Sequence, residues 1–348
     1  MTPLRIILVG LGARSRTWQR VIGENPDIEI VAMCDPDPTA RAKASEMYPN
    51  RPVGIAISDV IGVAADAVLL ATPPGGREQQ IAESCKAGLA ILAEKPLADN
   101  VSLAARYVEM AEAAGVHLIV GLNFRYLAVT QAMRGLLHDG TVGTPGFARF
   151  TYERWRDGTQ DWLNSYPLAM EHPMLWEQSI HHFDLMRYVY NTEPVRIQAH
   201  TFNPPWTMYA GDTNVSGLIA FENDLTVNYQ GTWQAGHEPM NFNWRTDCSE
   251  GIVVQRQMFG DLVYAPRMQK EPTSIDLPPH EAWITDATEL LKMFVATCRG
   301  APPECTGRDH LQSLEMLQAC ILSSARQATV EIEEIRADLI RVSARPTQ

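Results

Sequence analysis

The first 120 residues alternate short, continuous apolar runs with helix-like stretches, and that alternation narrows the fold more than any other feature. The runs are Leu4–Val9, Ile28–Cys34, Asp66–Ala71, Leu89–Ala93 and Val116–Gly121. Helical stretches such as Gly76–Ala87 and Asn100–Ala114 lie between them. A strand that is apolar at successive positions, rather than at every second one, is covered on both faces. That arrangement needs helical crossovers and a parallel sheet. The expected fold class is α/β, with an N-terminal doubly wound parallel sheet.

After Arg125 the texture changes. A helix-like stretch, Val129–His138, is followed by the strand-like segments Gly146–Trp155, Arg196–Phe202, Asn214–Phe221, Thr226–Trp233 and Gly251–Phe259. A helical stretch at Met174–Tyr190 interrupts them, and the tail returns to helix at Ala282–Cys298 and His310–Gln327. Turn residues such as Glu222-Asn223-Asp224 predict antiparallel hairpins, so the second half reads as a mixed sheet with helices on one face. A length of 348 residues agrees with two domains. The boundary is expected at 123/124, with helix 308–327 packing back on the first domain.

Composition excludes several classes. Hydrophobic residues make up 45% and charged residues 20%, as in a globular chain rather than a disordered one. The balance of 29 basic and 41 acidic residues gives −12, and no basic block stands out, so neither nucleic acid nor an anionic membrane surface is an expected partner. No apolar run approaches the roughly 18 residues that span a bilayer. The opening MTPLRIILVG has no signal-peptide pattern and the six cysteines form no CxxC pair, so a cytoplasmic chain with reduced thiols is expected. The histidines form no HExxH or Cys/His metal spacing, and no metal is expected.

The first strand runs into Gly10-Leu11-Gly12-Ala13-Arg14-Ser15 and then a helix. This approximates the dinucleotide fingerprint G-x-G-x-x-G/A: Gly10 for the tight turn, Gly12 for close approach of the backbone to a pyrophosphate, Ser15 small in the third place. Phosphate would sit at the helix N-terminus, where free N–H groups point outward. Asp35 closes the second strand, where a carboxylate accepts from the ribose hydroxyls of NAD and repels the 2′-phosphate of NADP. NAD is the expected cofactor. Arg14, Arg16 and Arg41 keep NADP open.

Two further groups carry chemistry. The fourth strand ends at Glu94-Lys95-Pro96, so Lys95 would point into the crevice at the carboxyl ends of the strands. In Trp176-Glu177-Gln178-Ser179-Ile180-His181-His182-Phe183-Asp184, Glu177 and Asp184 fall four before and three after His181, on its face of a helix. A histidine with a carboxylate partner is held in one tautomer and made more basic.

Taken together, the chain resembles the Gfo/Idh/MocA oxidoreductases, which include glucose–fructose oxidoreductase and inositol dehydrogenase. The resemblance rests on the Gly10–Ser15 loop, Asp35, Ala71-Thr72-Pro73-Pro74, Glu94-Lys95-Pro96, Gly121-Leu122-Asn123-Phe124-Arg125, the Glu177–Asp184 helix and Ser323-Ser324-Ala325. It implies a dinucleotide-binding domain at 1–123 and a substrate-binding α/β domain at 124–348 with a large open, mainly antiparallel sheet. It also implies a pocket between the domains and a homodimer or homotetramer built through that sheet. Beyond the glycine loop and Asp35, the cofactor-binding set would take in Ala71, Thr72, Pro73, Glu94, Lys95 and Asn123. Lys95 and His181 would contact the reacting hydroxyl, with Glu177 behind the histidine and a cis Lys95–Pro96 bond. Three residues depart from the pattern: Glu177 where inositol dehydrogenases carry Asp, Arg77 where many members carry His, and Ser15 for the third glycine.

The implied reaction passes hydride between nicotinamide C4 and a secondary hydroxyl of a sugar or polyol. His181 is the general base, Glu177 its orienting carboxylate, and Lys95 the donor to the developing alkoxide. Candidate substrate-facing residues are Asn123, Arg125, Tyr152, Arg154, Trp162, Trp176 and His182, although His182 faces away from His181 on a helix. The alternatives are a non-catalytic NAD-binding regulator and a glycoside-cleaving enzyme that uses NAD transiently.

Overall fold

The computed structural model describes residues 2–160, 163 and 165–343. The elements run β1 (Leu4–Val9), α1 (Ala13–Gly23), β2 (Ile28–Cys34), α2 (Pro38–Met47), β3 (Val53–Gly54), α3 (Ile57–Val60), β4 (Ala67–Leu70), α4 (Arg77–Lys86), β5 (Ala90–Ala93), α5 (Val101–Ala114) and β6 (Leu118–Val120). A 3-10 turn at Asn123–Tyr126 leads to α6 (Ala128–His138), β7 (Pro145–Glu153), a second 3-10 turn at Tyr166–Ala169, a π-helical turn at Met174–Ser179 and α7 (Ile180–Tyr190). Then come β8 (Pro194–Phe202), β9 (Asn214–Phe221), β10 (Thr226–Thr232), β11 (Asn241–Cys248), β12 (Gly251–Gln257), β13 (Gly260–Pro266), β14 (Thr273–Ser274), α8 (Thr285–Cys298), α9 (Gly307–Arg326), β15 (Val330–Glu331) and α10 (Ile332–Ser343). Among the described residues no helix is long and apolar enough to cross a membrane.

Two compact units result. The first is Met1–Tyr126 with Glu281–Leu311, and the second is Leu127–His280 with Gln312–Gln348. A boundary drawn once at 123 therefore leaves out a returning segment. Of the helix expected to pack back, only the start, as far as Leu311, lies in the first unit.

The first unit holds a six-stranded parallel sheet in the order β3-β2-β1-β4-β5-β6. Ile6, Ile7 and Leu8 are successive and fully buried, so both faces are covered. Each such side chain contributes roughly 1.5–3 kcal/mol on burial. Strand order reverses between β1 and β4, and the crevice outside their carboxyl ends is where such sheets bind ligands. The helices start and stop where local chemistry permits. Asn100 caps α5 by accepting from Leu103 N at 2.8 Å, and Gly115 ends it at φ 66°. The returning segment is tied on by Arg20–Glu281 at 2.6 Å, Arg299–Asp27 at 3.1 Å and the Phe124–Trp283 ring contact at 5.2 Å.

The second unit holds a nine-stranded sheet in the order β14-β13-β12-β11-β7-β10-β9-β8-β15. Its described pairings are antiparallel except β7 with β10, which run parallel. Ala148, Phe150 and Tyr152 alternate inward on β7 and meet an aromatic core of Tyr229, Phe242 and Trp244. Strands β11 and β13 lay outside the sequence expectation. In NFNWRTDC only Phe242 and Trp244 carry a strong apolar signal, and GDLVYAP is bounded by Gly and Pro.

Candidate active site

The glycine loop sits at the reversal point of the first sheet. Gly10 has φ 87°, and a Cβ there would lie 2.9 Å from Thr72 Cγ2 and 3.0 Å from the Ala71 backbone, so this turn packs directly on the end of β4. Asp35 fixes the loop from the other side. Its Oδ2 accepts from Leu11 N at 2.6 Å and its Oδ1 from Asp37 N at 2.8 Å. Ser15 is fully buried and donates to the Gly12 carbonyl at 2.8 Å, which explains why a small hydroxyl serves in the third glycine place. Arg41 Nη1 donates to the carbonyl oxygens of Asp35 and Pro36, each at 2.8 Å.

The Lys95 loop is clamped from two directions. Glu94 is buried, and its Oε1 accepts from Arg14 Nε at 2.5 Å and Trp18 Nε1 at 2.7 Å. Burial would push the Glu94 carboxyl up, but the Arg14 charge and these hydrogen bonds outweigh it and hold it below its ordinary value. On the other side Arg77 is fully buried. Its Nη1 donates to the carbonyl oxygens of Glu94, Pro96 (2.6 Å) and Leu97 (3.2 Å), and its Nη2 donates to that of Thr72. The departure from His to Arg therefore has a structural use: one planar fork ties the ends of β4 and β5 together. Leu97 N donates to His310 Nε2 at 3.4 Å. The Lys95–Pro96 bond is cis, and Lys95 itself is half-buried.

Asn123 and Arg125 both have acidic partners within the same unit. Asn123 donates to Asp286 on α8, and Arg125 pairs with Asp309 at 2.6 Å; both are almost fully buried. Pro73 is exposed beside the crevice.

In the second unit the candidate helix is not α-helical throughout. Met174–Ser179 is a π turn with i→i+5 bonding, and α7 starts only at Ile180. Tyr166 holds Glu177, donating to its Oε1 at 2.7 Å. His181 is buried at 4% exposure. Asp184 lies against Arg187 (3.9 Å) and accepts from Ser313 at 3.3 Å, inside a buried cluster where Arg187 also pairs with Glu193 at 2.6 Å. Trp176 is buried in the π turn, and Trp162 lies outside the described residues.

His182, expected to face substrate, lies in the core of the second unit. It is 1% exposed, packed on Phe150 and Tyr152 at 4.7 and 4.8 Å, with both ring nitrogens engaged. Nε2 accepts from Gln178 Nε2 at 3.0 Å, and Nδ1 lies 2.7 Å from the Tyr229 hydroxyl. Burial depresses its pKa from 6.5 to about 3. The folded chain thus resists a proton that the unfolded chain accepts below about pH 6.5. The stability this histidine contributes is intact above that pH and is lost as pH falls toward 3. Between pH 7 and 5 the loss should be about 2 kcal/mol, read as a falling urea midpoint. His182→Gln should flatten that segment of the profile, and an unchanged slope would refute the assignment.

Two family models match the chain. One, described as an oxidoreductase family with an NAD-binding Rossmann fold, covers residues 4–122, and the GFO/IDH/MocA C-terminal domain covers 130–254. The chain belongs to the Gfo/Idh/MocA oxidoreductases. Similar relatives include a D-apiose dehydrogenase of Paraburkholderia graminis, 25% identical over 97% of this chain and 92% of its own length. An inositol 2-dehydrogenase of Rhizobium meliloti is 23% identical over 94% and 99%. Among solved structures, an oxidoreductase from Agrobacterium radiobacter in complex with NAD+, L-tartaric acid and magnesium superposes with TM-score 0.86 at 21% identity, covering 96% of this chain and 100% of that one. A levoglucosan dehydrogenase in complex with NADH gives 0.82 at 17% identity, covering 95% and 99%.

The Gfo/Idh/MocA cofactor, NAD, fits the residues present. A Cβ on Gly12 would meet nothing within 4 Å, so the backbone face there is open to a pyrophosphate. Helix α1 begins at that point with no side-chain cap and no acidic residue in its first turn. Sequence reasoning missed Trp18, Tyr166 and Gln178. Trp18 was findable, since it lies one helical turn after Arg14 on the same face. Tyr166 lies in a turn 11 residues from Glu177, where no periodicity links the two.

Proposed function

We propose that the chain is an NAD-dependent dehydrogenase that oxidises a secondary hydroxyl of a sugar or cyclic polyol and reduces the corresponding ketone in reverse. The observation that carries this reading is the Glu94-Lys95-Pro96 loop: an ammonium at a parallel strand end of the NAD-binding unit, held by Arg77 on one side and by Arg14 and Trp18 through Glu94 on the other. Bound NAD supplies the hydride acceptor at nicotinamide C4. Lys95 donates to the reacting oxygen and stabilises the charge that develops on it. His181 takes the hydroxyl proton on a ring nitrogen, and Glu177, fixed by Tyr166, orients that ring and stabilises its charged form. The substrate class follows the relatives named D-apiose dehydrogenase, inositol 2-dehydrogenase and 1,5-anhydro-D-fructose reductase. Exposed Phe147, Phe202 and Leu218 on β7, β8 and β9 support self-association through the large sheet.

The test is a panel of inositols, aldoses, sugar acids and anhydrosugars, offered with NAD and separately with NADP. Nicotinamide absorbance and sugar products are followed together. NADH formation on one class is expected, with NAD well ahead of NADP because Asp35 stands at the ribose position and Arg41 is bound to carbonyls. A protein that binds NAD yet turns over no member of the panel, in either direction, would sink the dehydrogenase reading in favour of a regulator.

A further inference from the structure

The second unit contains a cleft of about 950 Å³ outside the carboxyl ends of β7 and β10, the parallel pair of the large sheet. The chain beyond those strands stays paired: Arg156 N donates to Trp233 O at 2.9 Å, and Ala235 N to Arg154 O at 3.2 Å. The walls include Arg154, Trp155, Arg156, Gln160, Trp206 and His237. The volume suits a small molecule, and two tryptophans and convergent polar groups suit a sugar.

Many guanidiniums elsewhere pair with carboxylates, such as Arg5 with Asp66, Arg14 with Glu94, Arg125 with Asp309, Arg187 with Glu193 and Arg245 with Asp247, while Arg41 and Arg77 are spent on backbone carbonyls. Among the described residues neither Arg154 nor Arg156 has such a partner, in a chain of net charge −12. Arg156 is held in place, its Cζ 4.0 Å over the ring of the buried Trp233. Stacking occupies the face of the guanidinium and leaves its N–H edge available for a planar anion. Arg154 lies one residue past β7, two after Tyr152, and sits beside the Tyr152 hydroxyl. That hydroxyl donates to Gln178 at 3.3 Å, next in the chain to Glu177. Two carboxylates also line the cleft. Asp157 is committed to its own turn, accepting from Thr159 N (3.0 Å), Thr159 Oγ1 (2.6 Å) and Gln160 Nε2 (2.7 Å), and Glu238 lies on an exposed loop.

We propose that Arg154 and Arg156 form an anion subsite, so that the substrate is an acidic sugar whose carboxylate or phosphate is received there, with Trp155 and Trp206 along its ring. This rests on the dehydrogenase reading above and names its substrate class. A bidentate guanidinium–carboxylate contact discriminates strongly against a neutral analogue, since the neutral sugar leaves the donors unmatched.

The experiment compares glucose with glucuronate and glucose 6-phosphate, and galactose with galacturonate, in wild type, Arg154→Met, Arg154→Lys and Arg156→Met, with melting temperature as the folding control. In wild type, kcat/KM for the acid should exceed that for its parent aldose by roughly tenfold or more. That ratio should fall by roughly tenfold in each methionine variant, chiefly through KM, and recover in part in Arg154→Lys. Uronate and phosphate arms separate the two anions. Calorimetry of the NADH-bound protein with glucuronate, galacturonate and glucose 6-phosphate gives a readout independent of turnover. Equal rates on neutral and acidic sugars, or an unchanged ratio in folded variants, overturn the anion subsite and leave the dehydrogenase reading intact. Binding of one of these anions that is lost in Arg154→Met, without turnover of any sugar, supports the subsite and overturns the dehydrogenase reading. Neither binding nor turnover of any of these anions overturns the subsite.

Discussion

Lys95→Ala should lower kcat by roughly 10²–10⁴-fold while NAD affinity changes little. The lysine follows the buried Glu94 at the end of β5, whereas the open backbone face that suits a pyrophosphate is at Gly12. Removing an ammonium that acts on the developing alkoxide removes an interaction made in the transition state, so kcat and kcat/KM should fall together. Steady-state kinetics on the substrate found in the panel, with NAD binding followed by protein fluorescence, make the comparison. Turnover within a few-fold of wild type would remove Lys95 from the chemistry.

Arg77→Met should be the most damaging single change to the first unit. The guanidinium is fully buried and donates to carbonyl oxygens of Thr72, Glu94, Pro96 and Leu97. Methionine matches its length but leaves buried acceptors unpaired, a loss of about 3–5 kcal/mol. Arg77→Lys should recover little, because one ammonium cannot serve two strand ends the way a planar fork does. Thermal melting should therefore show both variants destabilised. The residual folded protein should lose kcat more than NAD affinity, because the Lys95 loop is what the fork positions. Equal melting temperatures for wild type and Arg77→Met would show that the clamp is not needed.

The parallel sheet, its order of strands and helices, the glycine loop and Asp35 were legible in the residues, because each leaves a local mark. Continuous apolar runs give buried strands, and a turn needing φ 87° wants glycine. The large sheet was only partly legible. Its alternation was clear at Gly146–Trp155 and weak at Asn241–Cys248, where polar residues dominate and burial of Phe242 and Trp244 is decided by strands far away in sequence. The return of Glu281–Leu311 left no mark either: it is held by ties such as Asn123 to Asp286 and Arg299 to Asp27, between residues with no shared periodicity.

The candidate site divides in the same way. Its residue types were set by the chain alone: a lysine after a buried strand, a histidine flanked by carboxylates, a carboxylate just after the second strand. The tertiary structure decided their surroundings. It turned Asn123 and Arg125 onto Asp286 and Asp309, drew His182 into the aromatic core, opened a π turn at Glu177, and left Arg154 and Arg156 facing a cleft without carboxylate partners among the described residues. The physical reason is range. Backbone conformation and helix or strand character depend on neighbours within a few residues, whereas burial, partner choice and charge state depend on what packs alongside from more than a hundred residues away, and only the folded chain contains that information.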